Sequence, residues 1–311
     1  MTPAPAERSW VVSEGEAGAR LDVFLAGVLG ASRGQVRALL AAGGVRVGNG
    51  ATGLAAKGRL LTSGERVTLA EPTLAAAAAP DAEPEAPLVV LAEGEGWIAL
   101  DKPPGVPVHP LAPGERGTLL NALVARHPEV TGIGEGGLRS GVVHRLDVDT
   151  SGVLLFALEE LRWLDLREAF RGHRVAKTYR ALVQGRLEGE GELVLHLSVL
   201  RHRPAHVGAV EPGTGRSRRT ELRWRSLEQF GDATLVEVQP RTGFLHQIRA
   251  SLAFLGHPLL GDVAYGAREG VAPRHLLHAS RVAIEEVVAE SPDAADFAEA
   301  VTKAREASTT R

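Results

Sequence analysis

Residues 71–87, EPTLAAAAAPDAEPEAP, divide the chain into two parts. Alanine, proline and acidic residues fill this segment, and no apolar residue recurs at helix or strand spacing. Because such a segment cannot bury a core of its own, we interpret it as a linker. The 311-residue chain is therefore expected to form a small domain before the linker and a large one after it.

The small part, residues 17–70, has the pattern of two short helices followed by a hairpin. It holds seven basic and two acidic side chains, although the whole chain has a net charge of −3. A basic helical face suits RNA phosphates, but a solvated helical hairpin has the same pattern. The candidate RNA contacts are Arg20, Arg33, Arg37 and Arg46.

The large part, residues 88–295, is rich in strand patterns and contains a few amphipathic helices. Regular alternation of strands and helices is missing, which argues against a doubly wound fold. We predict an α+β domain with a central mixed or antiparallel β-sheet flanked by helices. Residues 296–311 are predicted to form a tail, helical at first and then partly disordered.

Composition excludes several classes of protein. The chain has no cysteine, so it has neither disulfides nor thiolate metal ligands. No apolar run approaches the roughly 20 residues of a membrane span, and the start MTPAPAERSW lacks the features of a signal peptide. We expect a cytoplasmic protein without a membrane partner.

The stretch HRLDVDTSG at residues 144–152 precedes an apolar strand pattern and carries the main chemical signal. An aspartic protease would need a second copy of its D-T-G loop, and the chain has none. Ser151 is not in a nucleophile elbow, and no G-x-x-x-x-G-K-[ST] phosphate loop occurs. Metal-ligand spacing is not found among His109, His144, His246 and His257.

What remains is the single carboxylate of Asp147, for which Arg249 is a candidate cationic partner. An ion-paired carboxylate can act at a sugar carbon, as in retaining glycosidases. Asp149 could supply a second carboxylate if the segment is extended, since both side chains would then point the same way. A carboxylate that only caps a turn remains the structural alternative.

Five stretches of the large part occur in a fixed order. They are LDKPPGVPVHP (100–110), HRLDVDTSG (144–152), AKTYRALVQG (176–185), HQIRASLAFLGHPLLGDVAYG (246–266) and LLHASRVAI (276–284). Together they resemble the RluA-type pseudouridine synthases. Residues 17–70 resemble the αL-type RNA-binding domain that often precedes that catalytic domain.

The resemblance implies an isomerase that converts uridine in RNA to pseudouridine without a cofactor or a metal. It implies catalytic roles for Asp147, for Tyr179, which stacks on the base, and for Arg249, which pairs with the carboxylate. The residues expected to bind the substrate flank these positions: His144, Arg145, Leu146, His246, Gln247 and Ile248.

The expected partner is structured RNA, with large-subunit ribosomal RNA or its precursor preferred, and the expected state is a monomer. Two alternatives remain open at this point. One is a ribosome-assembly factor that binds RNA without catalysis, and the other is a sugar hydrolase that uses Asp147 and Asp149. The second would show no salt-dependent affinity for RNA.

The sequence departs from the family pattern at one place. The family usually reads TGRTHQIR, whereas here Phe244 and Leu245 replace the arginine and the threonine. This removes a basic side chain that the family pattern places near the site. Arg241 is close in sequence and is a candidate replacement.

Overall fold

The computed structural model describes residues 7–29, 36, 39–40, 43, 45–48, 58–70 and 79–309. They form two compact units. The first comprises the described residues of Met1–Ala86 together with His109–Val142 and Ala157–Leu164; the second comprises Pro87–Val108, Val143–Phe156 and the described residues of Asp165–Arg311. Within the described ranges, no helix has the length and apolarity needed to cross a membrane.

The first unit contains a three-stranded antiparallel sheet in the order β1-β3-β2. Its strands and helix are β1 (Glu7–Val11), α1 (Leu21–Leu29), β2 (Val45–Val47) and β3 (Arg66–Ala70). Leu21 and Leu25 of the helix are fully buried with Val67 and Leu69 of β3. β1 lies before the predicted limit at residue 17, yet all five of its residues pair with β3.

Helix α2 (Leu119–Arg126) also belongs to the first unit and fixes part of the predicted linker. The side-chain amide of Asn121 donates to the carbonyl of Asp81 at 2.7 Å. Arg126 donates to the carbonyl of Ala86 at 2.8 Å. Residues 79–86 are therefore bound to α2, while residues 71–78 lie outside the described part of the chain.

The second unit is built on a ten-stranded sheet in the order β4-β5-β6-β12-β7-β11-β10-β8-β9, with β13 paired to β12. The strands are β4 (Val89–Gly94), β5 (Trp97–Lys102), β6 (Ser151–Ala157), β7 (Ala176–Gln184), β8 (Glu190–His202), β9 (Ala205–Ala209), β10 (Arg218–Phe230), β11 (Ala233–Pro240), β12 (Leu277–Ile284) and β13 (Val287–Glu290). Helices α4 (Gln247–Phe254) and α5 (Ala295–Thr309) belong to this unit, as do residues 165–171 of α3 (Glu160–Arg171), whose first residues are counted with the first unit.

The sheet is mixed, as predicted, because β12 runs parallel to β6 and antiparallel to β7. Helix α4 buries Ile248 and Leu252 in one apolar cluster of the sheet. Helix α5 buries Phe297 and Val301 in another. Residues 295–309, most of the segment predicted as a tail, are thus helical and packed.

The end of the HRLDVDTSG stretch ties the loop before β6 to β12. The hydroxyl of Thr150 lies 2.9 Å from Nε2 of His275, and that of Ser151 lies 3.0 Å from Nδ1 of His278. Gly152 has φ +107°, and a Cβ there would lie 2.2 Å from the carbonyl oxygen of Ala279. Thr150, Ser151 and Gly152 therefore hold the loop in place, so three of the nine residues of the motif have a structural role.

Substitution Gly152→Ala tests this packing. The new methyl group meets the β12 backbone and the residue must keep a left-handed φ, so we expect a loss of about 2 kcal/mol or more in the free energy of unfolding. Gly243→Ala is the matched control, since nothing lies within 4 Å of its Cβ position and its φ is not left-handed. Urea unfolding of both variants measures the difference, and equal stabilities would contradict the argument.

Candidate functional site

A cavity of about 620 Å³ lies within the second unit. It is lined by the loop before β6, by β7, by α3 and by the turn that leads into α4. Asp147, Tyr179 and Arg249 all line it. Three residues more than 30 positions apart from one another in the sequence are thus brought to one surface.

The chain turns immediately after Asp147. The N–H of Thr150 donates to the carbonyl of Asp147 at 3.1 Å, and Val148 and Asp149 form the turn. The segment is therefore not extended, and the idea that Asp147 and Asp149 point the same way is wrong. Asp149 is exposed and does not line the cavity, whereas the Asp147 side chain is 20% exposed within it.

Arg249 is shared between two carboxylates. It donates from Nε and Nη2 to Asp262 at 2.7 and 2.8 Å, and from Nη1 to Oδ2 of Asp147 at 3.3 Å. Burial disfavours the charged guanidinium, but the hydrogen bonds and charge of Asp262 raise the pKa of Arg249 above its usual value. The guanidinium therefore stays charged and is held where it reaches Asp147.

Tyr179 lies on β7, where it pairs with Val238 on one side and Ala279 on the other. Burial and then the negative charge of Asp147 raise the pKa of the Tyr179 phenol well above its usual value. Tyr179 is therefore a neutral phenol. Leu146 and Ile248 are 7% and 6% exposed and form apolar parts of the cavity wall, as expected.

His144 lines the cavity but is engaged in the structure. Its ring stacks on Phe170 with centroids 4.5 Å apart, and its Nε2 accepts the N–H of Leu155 at 3.0 Å. Burial, with the nearby charges of Lys177 and Arg167, lowers the pKa of His144 to about 3. The ring is therefore neutral and fixes the loop against β6.

Gln247 shapes the turn before α4. Its carbonyl oxygen accepts from the hydroxyl of Thr242 at 3.0 Å and from the N–H of Phe244 at 3.1 Å. Its amide donates to the carbonyl of Glu221 at 3.1 Å. With these groups committed to protein partners, Gln247 acts on the cavity through the turn it holds.

The replacement of the family arginine is visible in the cavity wall. Phe244 and Leu245 line the cavity and pack against the apolar cluster of β8 and β9. Arg241 pairs with Glu221 at 2.9 Å, is more than half exposed and does not line the cavity, so compensation by Arg241 stays a hypothesis. Among the cations that do line it are Arg145 and Lys177.

Two further residues escaped the sequence reasoning: Lys177, which lines the cavity, and Asp262, which lies behind it and binds Arg249. Asp262 is 2% exposed and stands in the GDVAYG stretch, whose acidic residue beside a glycine was the available signal. Lys177 donates to the carbonyl of Thr242 at 2.9 Å, and burial lowers its pKa to about 8.

Two of the four candidate RNA contacts, Arg20 and Arg46, lie in the described part of the first unit and are surface residues. Arg20 pairs with Asp22 and Arg46 pairs with Glu7, at 2.9 and 2.8 Å. Both arginines remain about half exposed, at 48% and 61%. Arg33 and Arg37 lie outside the described residues. In the ranges that the structure describes, no cluster of three or more His, Asp or Glu side chains could hold a metal ion.

The shared arginine predicts a large effect for Asp262→Asn. This change leaves a buried guanidinium without its main counter-charge, so we expect a loss of about 3 kcal/mol in the free energy of unfolding. The matched control is Asp232→Asn, which breaks an exposed pair with Arg268 and should cost less than about 1 kcal/mol. Chemical unfolding compares the two, and similar losses would mean that Arg249 does not depend on Asp262.

The burial of Lys177 should make the free energy of unfolding depend on pH in a specific range. Because its folded pKa is about 8 and its unfolded pKa about 10.4, the unfolded chain holds more protons in that window, so this lysine adds stability as pH rises from about 8 to about 10. We expect the stability of the wild type relative to Lys177→Met to rise across this window. The control is Lys303→Met, which removes an exposed lysine. The stability of the wild type relative to this variant should show no such rise. A flat difference for Lys177 would contradict its burial.

Comparison with known proteins shows what this site belongs to. Residues 96–254 match the model of the RNA pseudouridylate synthase family. An uncharacterized RNA pseudouridine synthase of Mycobacterium bovis is 35% identical over 271 residues, which covers 86% of this chain and 85% of the relative.

Two shorter matches are also to proteins named pseudouridine synthases. A ribosomal large subunit pseudouridine synthase D of Nitrosomonas europaea is 39% identical over 180 residues, 58% of this chain and 50% of the relative. An uncharacterized RNA pseudouridine synthase of Chloroflexus aurantiacus is 41% identical over 195 residues, 58% of this chain and 54% of the relative. These two matches thus span about half the length of the relatives.

The structure of human RNA pseudouridylate synthase domain containing 1 superimposes with a TM-score of 0.56 and 26% identity, covering 67% of this chain and 84% of that one. The family model covers about half of the chain, and the mycobacterial relative aligns with most of it. Fold, cavity and comparisons agree, and the chain belongs to the RNA pseudouridylate synthase family.

Proposed function

We propose that this protein converts uridines of large-subunit ribosomal RNA to pseudouridine, with Asp147 as the reacting carboxylate. The observation that carries the proposal is the Asp147 carboxylate, which lies in a cavity beside Tyr179 and is held by Arg249. Support for the RNA target comes from relatives in Nitrosomonas europaea and Zymomonas mobilis that are named ribosomal large subunit pseudouridine synthases.

The cavity fits a single nucleotide taken out of the RNA stack. Its volume of about 620 Å³ lies in the usual range of small-molecule sites, and chemistry on a stacked base requires that the base be flipped out. Tyr179 and the apolar side chains of Leu146 and Ile248 offer a surface for the base and sugar. Arg145, exposed beside Asp147, fits a role next to the flipped nucleotide.

The carboxylate of Asp147 starts the reaction at the sugar. It either bonds to C1′ or takes the proton of C2′, and in both cases the C1′–N1 bond breaks with its electron pair on N1 of uracil. The detached base turns in the cavity and C5 bonds to C1′. In the first route the bond from Asp147 to C1′ breaks, and in the second route Asp147 returns the proton to C2′, so the carboxylate is regenerated in both. C5 then loses its proton and N1 gains one, so atoms and electrons balance without any co-reactant.

Tyr179 contributes as a neutral phenol in this scheme. A phenolate next to Asp147 is disfavoured by burial and by the negative charge of Asp147, which together raise the Tyr179 pKa. This favours a role in stacking on the base while it turns, rather than as the first acceptor of a proton. Arg249 stabilises the negative charge of Asp147 before and after the reaction.

The first unit is proposed to hold the RNA around the target. Arg20 and Arg46 remain about half exposed despite their acidic partners, so each can still reach a phosphate. We propose that the protein acts as a monomer, since Asp147, Tyr179 and Arg249 of a single chain meet at the cavity and the site needs no residue from a second copy.

Substitution Asp147→Asn should lower the single-turnover rate of pseudouridine formation by about a thousandfold or more, because the amide neither attacks C1′ nor takes a proton. RNA affinity and folding should persist. Asp149→Asn is the matched control: Asp149 is exposed, lies two residues away and does not line the cavity, so near wild-type activity is expected. Loss of activity in Asp149→Asn together with near wild-type activity in Asp147→Asn would identify Asp149 as the reacting group.

The target is tested on ribosomal RNA from a strain that lacks the protein. Pseudouridines are mapped by carbodiimide labelling and reverse-transcription stops, with wild type, Asp147→Asn or Asp149→Asn added back. Large-subunit stops that return with wild type and Asp149→Asn, but not with Asp147→Asn, would establish reaction and target. An unchanged map in the deletion strain would overturn the ribosomal target and leave another RNA or binding without modification.

A further inference from the structure

His246 and Tyr265 form a chain of contacts that ends at the Asp147 carboxylate. The Tyr265 hydroxyl lies 3.0 Å from Nδ1 of His246, and Nε2 of His246 lies 3.9 Å from Oδ2 of Asp147. The sequence predicted His246 to bind substrate and gave Tyr265 no role. All three residues lie in the second unit.

The Tyr265 ring is fixed on several sides. Its oxygen accepts the N–H of Val207 at 2.9 Å, and its ring stacks on His206 with centroids 4.7 Å apart. The Arg249 guanidinium lies over the ring at 4.9 Å from the centroid. The Tyr265 phenol therefore has a fixed position beside the His246 imidazole that it contacts.

The charges around His246 determine which ring nitrogen carries the proton. Burial lowers the pKa of His246, although the charge of Asp147 opposes this, so the ring is neutral and has one N–H. If Nδ1 held that proton, the lone pair of Nε2 would face the Asp147 carboxylate. The arrangement with Nε2–H toward Asp147 and Nδ1 accepting the Tyr265 hydroxyl avoids this repulsion.

Both neighbours of Asp147 meet the same oxygen. Arg249 Nη1 at 3.3 Å and His246 Nε2 at 3.9 Å both approach Oδ2. Among the described residues, no hydrogen bond or ion pair is formed by Oδ1 of Asp147. The carboxylate thus has one oxygen held by the protein and one left for the substrate.

His246 also occupies an unusual backbone position. It precedes the first residue of α4 with φ +50°, a left-handed conformation that is uncommon for residues other than glycine. Such conformations concentrate at functional sites, where neighbouring contacts hold them. Here the conformation accompanies the contact between the imidazole and Tyr265.

We propose that Tyr265 and His246 are positioning residues that orient Asp147 so that Oδ1 is its reacting oxygen. Tyr265 and the negative charge of Asp147 together set the tautomer of His246, and the Nε2–H of His246 acts with Arg249 on Oδ2. This inference rests on the proposed function, since it assigns the atom of Asp147 that meets the sugar. Neither residue touches the reacting atoms in this scheme.

The tautomer is tested without any activity, by long-range proton–nitrogen NMR correlations of the His246 ring. The wild type should show Nε2–H as the single tautomer, and Tyr265→Phe should show a mixture because the phenol that fixes Nδ1 is gone. His206→Leu removes only a stacking partner of Tyr265 and is expected to keep the wild-type tautomer. Nδ1–H in the wild type, or an unchanged tautomer in Tyr265→Phe, would overturn the proposal.

The single-turnover rate provides a second test, because a residue with a purely structural role would not change this rate at equal stability. Tyr265→Phe should lower the single-turnover rate by about 10- to 100-fold with unchanged RNA affinity. His246→Gln, whose amide N–H can replace Nε2–H, should retain more activity than His246→Ala at equal stability. Equal rates for these two variants would contradict the orienting role, and this comparison remains valid if Tyr265→Phe is unstable.

The two proposals fail in distinguishable ways. If the wild type forms no pseudouridine in any RNA, the proposed function fails, while the NMR experiment still decides the His246 tautomer. If the wild type is active, the His246 and Tyr265 variants match it in rate, and Tyr265→Phe keeps the wild-type tautomer of His246, only the positioning role fails.

Discussion

The site depends on one buried guanidinium that serves two carboxylates. Arg249 makes its two shorter hydrogen bonds to Asp262 and its longer one to Asp147. A buried arginine needs a full counter-charge, and Asp262 supplies it through both oxygens. Arg249 can then stabilise Asp147 without closing around it, so the second carboxylate remains available for chemistry.

The HRLDVDTSG motif contains two kinds of residue. Thr150, Ser151 and Gly152 anchor the loop to β12 through hydroxyl contacts and a close backbone approach. His144 anchors the other end through its ring contacts with Phe170 and the Leu155 N–H. Asp147 lies between these anchors, so the position of its carboxylate is fixed by residues that take no part in the proposed bond changes.

Local sequence patterns predicted much of the fold. Most strands of the large sheet and helix α4 follow from apolar spacing, and the pairing of Arg249 with Asp147 follows from the need of a buried carboxylate for a cation. The short strands β9 and β13 do not follow from apolar spacing, because pairing with β8 and β12, rather than their own composition, makes them strands. The resemblance to a family supplied the role of Tyr179, which no spacing argument could give.

Other features needed the three-dimensional structure. The turn at Val148 and Asp149 separates two carboxylates that an extended chain would align. Arg241 pairs with Glu221, which is 20 positions away along the chain, and does not line the cavity. The relation of Asp262 and Tyr265 to Asp147 also arises only from folding, because more than 100 positions separate them from it along the chain.

The central claim is that Asp147 meets the sugar of the flipped nucleotide. A crystal structure with RNA that carries 5-fluorouridine at the mapped target tests it most directly, because fluorine cannot leave C5 as a proton does and the rearranged nucleotide stays in the cavity. The account predicts C1′ of that nucleotide within about 3.5 Å of Oδ1 of Asp147, the separation at which these atoms react. A nucleotide whose C1′ lies against Asp149, or outside the cavity that Asp147 and Tyr179 line, would contradict it.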